Sequence, residues 1–77
     1  MDAKDTQLIM QLIEDNGELK ELWDEHLEFE RLLEKIDRKP FLNPNEKVER
    51  KRLQLAKLAG KTKIETILVP HRAQTMG

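Results

Sequence analysis

The segment from residue 19 to residue 46, LKELWDEHLEFERLLEKIDRKPFLNPNE, contains the two signals that decide the fold. Its first part has apolar residues and one histidine at alternating intervals of three and four, which is the spacing of the a and d positions of a coiled coil. Its last part contains Pro40 and Pro44, which lack a backbone N–H and interrupt a helix. The spacing therefore predicts a first helix over residues 18–39, followed by a turn.

A second helix is predicted directly after this turn. Asn43 suits the N-cap, Pro44 suits the first helical position, and Glu46 stands where its carboxylate can accept from the backbone N–H of Asn43. The helical pattern continues over residues 44–69, and the proline that follows is expected to end it. Because the connection is short, the helices should run antiparallel. The sequence thus predicts an all-α fold, a coiled-coil-like two-helix hairpin over residues 18–69.

Two segments flank the predicted hairpin. Residues 1–17 are expected to form a short helix or an extension of the first helix, and Asn16-Gly17 marks a possible helix end between them. Leucines and isoleucines at positions 8, 9, 12 and 13 follow helical spacing, so this segment should either find a partner or fold back. Residues 70–77 show no periodicity and are predicted to be a flexible tail.

The second helix has two apolar stripes on nearly opposite sides, as placed by a rotation of about 100° per residue. The predicted hairpin seam comprises Leu19, Leu22, His26, Phe29, Leu33, Ile36, Val48, Leu55, Leu58 and Thr62. The other stripe contains Leu53, Gly60, Ile64 and Ile67. Because a two-helix hairpin has no enclosed interior, this second stripe is predicted to be an oligomer interface, in a dimer or a larger helical bundle. Gly60 would allow another helix to approach closely there, while Phe41 and Leu42 are expected to fold onto the hairpin.

The net charge of −1 hides an uneven distribution. Residues 1–37 contain twelve acidic and four basic residues, whereas residues 38–77 contain ten basic and three acidic ones. A basic half can bind nucleic acid. The basic residues do not share one narrow face, however, and no aromatic residue is interleaved for base stacking. The sequence favours pairing between the basic second helix and the acidic first helix, and nucleic-acid binding is the alternative.

The order of residues also resembles a known family. Residues 25–36, which begin with Glu25-His26, and residues 57–64, KLAGKTKI, resemble the YdcH-like family of small bacterial proteins, a domain of unknown function. In that pattern a Glu-His pair opens the first helix, and the second helix carries Lys-Leu, two residues, Lys, two residues and Ile. The resemblance covers residues 19–68 and implies a self-associating helical hairpin without an implied activity. The departures are Gly60 and Thr62, where the family has a larger apolar residue and an acid.

His26 is the one titratable group in the apolar stripe of the first helix. It could bind a metal together with Glu30, act as a pH-sensitive switch, or serve as a polar a-position that hydrogen-bonds across the hairpin. One histidine and one carboxylate are too few ligands for a metal site, so the structural role is favoured. Trp23, beside the stripe, is expected to pack in the core or in an interface.

Catalytic and membrane signals are missing from the sequence. The chain has no cysteine, no glycine-rich phosphate loop and no set of nucleophile, histidine and acid, so we predict no enzyme activity, no cofactor and no metal. The longest apolar run, residues 67–69, is too short to cross a membrane, and the first fifteen residues do not resemble a signal peptide. We therefore expect a cytoplasmic interaction or structural protein that self-associates and binds a protein partner.

Overall fold

The computed structural model describes the backbone of residues 3–76 and the side chains of residues 3–72. It is all-helical, as predicted, with α1 at Ala3–Leu12, α2 at Gly17–Asp37 and α3 at Pro44–Met76, and the described residues include no strand. The molecule is a rod with a longest dimension of 49 Å. At a rise of about 1.5 Å per residue, α3 alone accounts for that length. The two-helix prediction is therefore incomplete, because a third helix packs on the other two.

The break between α1 and α2 lies at Asn16-Gly17. Asn16 has extended backbone angles, φ −131° and ψ 96°, and its side-chain oxygen accepts a hydrogen bond of 3.0 Å from the backbone N–H of Leu19. This N-cap satisfies one of the free N–H groups at the start of α2. The residues before it therefore form a separate helix that folds back instead of extending α2.

The start of α3 has a reciprocal capping box. The backbone N–H of Glu46 donates to Oδ1 of Asn43 over 2.8 Å, and the N–H of Asn43 donates to Oε1 of Glu46 over 3.1 Å. Pro44 is the first helical residue, where its missing N–H leaves no bond unmade. Lys39, in the turn, forms an ion pair with the same Glu46 carboxylate and ties the end of α2 to the start of α3.

The prediction that Pro70 ends the last helix is wrong. α3 continues through Pro70 to Met76, so residues 70–76 are helical and do not form the tail predicted over residues 70–77. Proline removes one backbone hydrogen bond, but its fixed φ of about −65° suits a helix. The turn beyond it is held by Arg72, whose guanidinium lies 2.8 Å from Asp5 of α1 and 2.8 Å from Glu65 of α3.

The helices α2 and α3 run antiparallel, and two ion pairs fix their alignment. Arg50 Nε lies 2.7 Å from Asp37 Oδ1, and Lys57 Nζ lies 3.5 Å from Glu30 Oε1. One pair lies near the turn and the other lies near the middle of the rod. The two pairs are seven residues apart on both helices, so the alignment of α3 with α2 is the same at both places. The antiparallel arrangement agrees with the short connection between the helices.

The main core lies at the end of the rod away from the turn, where α1 joins the other two helices. Ile9 of α1, Leu19 and Trp23 of α2, and Ile64 and Leu68 of α3 form one buried cluster. Four of these five, all except Trp23, are completely covered. Leu8, Leu12 and Ile13 pack against the cluster, so the apolar segment before Asn16 finds its partner within the same chain.

The two apolar stripes of α3 have the reverse of their predicted roles: the predicted oligomer interface packs within the chain, and the predicted hairpin seam on α3 is exposed. Leu53 is 7% exposed and Ile64 is fully buried, so the predicted oligomer interface is covered by the chain itself, and Ile67 packs against the same core. By contrast, Val48 is 70% exposed, and Leu55 and Leu58 are each 58% exposed, so they do not form the predicted seam. Thr62 is also exposed, and its hydroxyl donates to the carbonyl of Leu58.

Two smaller predictions are corrected as well. Phe41 does not fold onto the hairpin, since it is 88% exposed, while Leu42 is half-buried. Gly60 is half-buried on the inner side of α3, but a Cβ atom built on it would meet no atom within 4 Å. The predicted close approach at Gly60 is therefore absent within this chain.

On α2 the predicted seam residues divide into two groups. Leu19, His26 and Leu33 are buried, whereas Leu22, Phe29 and Ile36 are half-buried along the edge of the contact.

Candidate functional site

His26 is the one buried polar residue among those that the structure describes. Its side chain is 4% exposed, and Nε2 lies 3.0 Å from Oε1 of Glu30, one turn further along α2. Its ring stacks on Trp23, with centroids 5.3 Å apart and an angle of 14° between the planes. The second ring nitrogen, Nδ1, is buried without a hydrogen-bond partner.

These contacts define the neutral state of the imidazole. Nε2 faces a carboxylate and is therefore the nitrogen that carries the proton, which leaves an unshared electron pair on Nδ1. Protonation would place a second N–H at Nδ1, where no acceptor is present. Burial lowers the pKa of His26; the Glu30 carboxylate opposes this shift, and the charge of Lys57 reinforces it. His26 is thus held as a neutral residue.

The role predicted for His26 is partly corrected. Its hydrogen bond stays within α2, and the connection to α3 is made by Glu30, which faces both His26 and Lys57. Among the described residues, no three His, Cys, Asp or Glu side chains are close enough to share a metal ion. The group of His26, Glu30 and Lys57 therefore joins the two helices, and its burial keeps the imidazole out of contact with any substrate.

The second candidate is the exposed side of α3, which we call the outer face. It contains the aliphatic residues Val48, Leu55, Leu58 and Val69 together with Thr62. At about 100° per residue these positions lie within an arc of about 80°, so they form one row along the helix. At about 1.5 Å per residue the row is about 32 Å long. Exposed aliphatic residues scattered singly need no explanation, but these four share one row, interrupted by Lys51 and by threonines, and a shared exposed apolar row marks a candidate interaction surface.

Charge distinguishes the outer face from the inner side of α3. Seven basic residues lie between positions 47 and 63 of α3. Arg50 and Lys57 pair with α2, and Arg52 pairs with Glu49 in its own helix. The other four have no carboxylate within 4 Å in the part of the chain that the structure describes. They are Lys47, Lys51, Lys61 and Lys63. The predicted pairing between acidic and basic helices is therefore only partly made.

Unpaired lysines lie within the outer face and on both sides of it. At about 100° per residue, Lys51 lies inside the row, at the angle of Val69, and Lys47 lies beside Leu58. Lys61 lies further round, toward α2, where a shallow groove between α2 and α3 is lined by Leu33, Gln54, Lys57, Leu58 and Lys61. On the other side of the row, Ala59 is followed by the basic residues Arg52 and Lys63. The surface is therefore a narrow, mainly apolar row with basic residues inside it and on both sides.

A signal for this arrangement was present in the sequence. Arg50 and Lys57 lie on the same side of α3 as Leu53, and Glu30 and Asp37 lie on the same side of α2 as Leu19, at about 100° per residue. Matching these opposite charges across the helices would have identified the inner stripe. Arg72 was missed for a different reason, because its region was predicted to be a flexible tail.

None of the helices in the described part of the chain combines the length and the apolar character needed to cross a membrane. Comparison with protein-family models, with curated proteins and with solved structures finds no match to this chain.

Proposed function

We propose that this chain is a non-catalytic interaction protein that binds an α-helix of another protein on the outer face of α3. The observation that carries the proposal is the row formed by Val48, Leu55, Leu58 and Val69, which are 57–70% exposed in a chain whose other apolar stripe is buried. Covering such aliphatic side chains is favourable by about 25 cal/mol per Å² of apolar surface removed from water. A catalytic role is not proposed, because His26 is out of reach of a substrate.

The sequence also predicts self-association, and that prediction now concerns a different surface. Leu53 and Ile64 are covered within the chain, so a second copy cannot bind there, and the outer face is the apolar surface of α3 that stays exposed. The cytoplasmic location and the resemblance to the YdcH-like family stay predictions. Both are compatible with an interaction protein, and neither identifies a partner.

A site-specific photocrosslinker tests the proposal in cells that express the protein naturally. The crosslinker is placed at Leu58, on the outer face, and in a matched variant at Lys35, which is exposed on α2 and has no ion pair with a described residue. We expect protease-sensitive adducts from position 58 and none from position 35. Equal crosslinking at both positions, or none at either, would contradict the proposal.

Nucleic-acid binding is the second candidate, and the observation that favours it is the set of four unpaired lysines on α3. Lysines without carboxylate partners can neutralise phosphates, and the resulting affinity falls steeply with salt. A titration with duplex DNA and RNA at about 50 and 200 mM salt tests this candidate. Salt-dependent binding, together with nuclease-sensitive adducts at Leu58, would favour it over a protein partner.

A further inference from the structure

We propose that the partner helix is amphipathic and acidic, with carboxylates beside its apolar row to meet the unpaired lysines Lys47, Lys51, Lys61 and Lys63. This inference rests on the proposed function and adds the chemistry of the partner. It follows from the shape of the outer face, from the unpaired lysines within it and on both sides of it, and from the state of the chain's own acidic helix.

The shape of the outer face selects a helix. The apolar row is narrow, spans about six helical turns, and repeats at intervals of three, four and seven residues from Val48 to Val69. A second helix with the same spacing can pack its side chains between those of α3 along the full row. A flat surface would contact only the crest of a single convex helix, so a partner helix covers more of the row.

The charges select an acidic partner. Lys47, Lys51 and Lys61 have no carboxylate within 4 Å among the described residues, and the one acid on this side of α3, Glu65, is engaged by Arg72. The pKa of Glu65 is lowered, first by its hydrogen bond with Arg72, so this carboxylate is ionised and already occupied. Carboxylates from a partner would pair with these lysines, and lysines from a partner would repel them.

A second copy of this chain is a poor match. Two α3 helices placed face to face would bring their unpaired lysines together, and Glu65, the one acid on this side of α3, is already engaged by Arg72. The acidic helix α2 of a second copy has its own apolar stripe engaged, since Leu19 and Trp23 are in the core and Leu22 packs against it. Neither helix of a second copy therefore offers a free apolar row bordered by acids.

Nucleic acid matches the lysines but not the row between them. The outer face contains aliphatic side chains and no aromatic ring on which a base could stack. Binding phosphates at the lysines would leave Leu55 and Val48 exposed or would place them against a charged backbone. An acidic amphipathic helix can cover the apolar row and pair with the lysines around it.

The test uses the full chain and two fluorescein-labelled helical peptides of about three heptads. Both peptides have leucine at every a and d position; one has glutamate along the flanking positions and the other has lysine there. We expect the glutamate peptide to bind about tenfold more tightly at low salt, as three exposed ion pairs together give about that factor. Fluorescence anisotropy at about 50 and 200 mM salt measures the difference.

Variants of the chain locate the contact. Leu55→Glu, at a position that is 58% exposed, should leave the helical content unchanged and abolish binding of the glutamate peptide. Lys51→Glu should reduce the preference for the glutamate peptide, and the matched control Lys35→Glu on α2 should not. Circular dichroism of each variant separates lost binding from lost folding.

The outcomes separate this inference from the proposed function. Equal affinity for both peptides, lost in Leu55→Glu, would keep the helix-binding surface and overturn the acidic partner. No binding of either peptide would overturn both. Binding to phosphatidylserine vesicles in place of the peptides, or a dimer in sedimentation that Leu55→Glu dissociates, would overturn the inference in favour of a membrane surface or a second copy.

Discussion

The two faces of α3 have similar side chains but opposite environments. On the inner face Leu53 and Ile64 are buried, whereas on the outer face Val48 and Leu55 are largely exposed. Hydrophobicity does not distinguish the faces, since both consist of leucine, isoleucine, valine and small residues. The charged neighbours do, because Arg50 and Lys57 beside the inner face reach carboxylates of α2, whereas Lys47 and Lys51 on the outer side reach none that the structure describes. In a small helical protein, ion pairs can therefore indicate which of two apolar faces is covered.

Truncating one side chain on each face of α3 should give the largest difference in the free energy of unfolding between the two faces. Ile64→Ala removes three carbons from a fully buried position and should lower the free energy of unfolding by about 2–5 kcal/mol, because of the lost burial and the cavity. Leu55→Ala, on the outer face, should change it by no more than about 0.5 kcal/mol. Urea denaturation followed by circular dichroism measures both.

A chain of this size is only marginally stable, so Ile64→Ala could be unfolded under all conditions. Ile64→Val provides a milder version, with an expected loss of about 0.5–1.5 kcal/mol. Equal losses at Ile64 and Leu55 would show that both faces of α3 are covered in solution, and would point to an assembled state.

Gly60 tests the inner side of α3 with a smaller expected change in the free energy of unfolding. Because a Cβ at this position would meet nothing within 4 Å, Gly60→Ala should raise the free energy of unfolding by about 0.5–1 kcal/mol through better helix propensity. The reverse change at its exposed neighbour, Ala59→Gly, should lower it by a similar amount and serves as the control. Thermal denaturation at matched concentration measures both, and a lower midpoint for Gly60→Ala would reveal a close helix contact at this position.

His26 should produce a smaller effect that depends on pH. Burial lowers the pKa of His26 in the folded chain, so below its ordinary pKa of about 6.5 the unfolded chain binds the proton more readily. The free energy of unfolding should therefore fall as the pH drops from about 6.5 to about 5. Trp23, which stacks on His26 and is the sole tryptophan, provides the fluorescence signal.

One variant assigns this pH dependence to His26. His26→Phe removes the titrating group and should flatten the dependence between about pH 6.5 and 5. The carboxylates with lowered pKa values, Glu28, Glu46 and Glu65, also stabilise the folded chain only while ionised, but their effect is lost below about pH 4.5. A slope that persists in His26→Phe above pH 5 would reject the assignment.

Local sequence predicted the start of α3 and marked Asn16-Gly17 as a possible break. Asn16 and Asn43 each bond a backbone N–H three residues ahead, and these caps depend only on nearby residues. The end of α3 was not predictable in the same way. Pro70 is a local signal to stop, but contacts of Arg72 with Asp5, a residue distant in sequence, hold the helix beyond it.

The sequence identified the residues of the outer face as one stripe of α3, but it did not show that this stripe is the exposed one. Periodicity identified both stripes of α3, including Val48, Leu55 and Leu58, yet a rotation of the helix by half a turn exchanges their roles without changing the pattern. The exchange depends on which charges meet across the interface and on where α1 folds back, and neither is a property of α3 alone.

The sequence by itself therefore determined the all-helical class, the break before Pro44 and the antiparallel course of α2 and α3, and it left open whether the chain breaks at Asn16. These follow from caps, prolines and spacing, which act over a few residues. The tertiary structure decided which face of α3 is buried, how His26 is held and how far α3 extends. Those features depend on contacts between residues far apart in sequence, such as Ile9 with Ile64 and Asp5 with Arg72, and no local pattern specifies them.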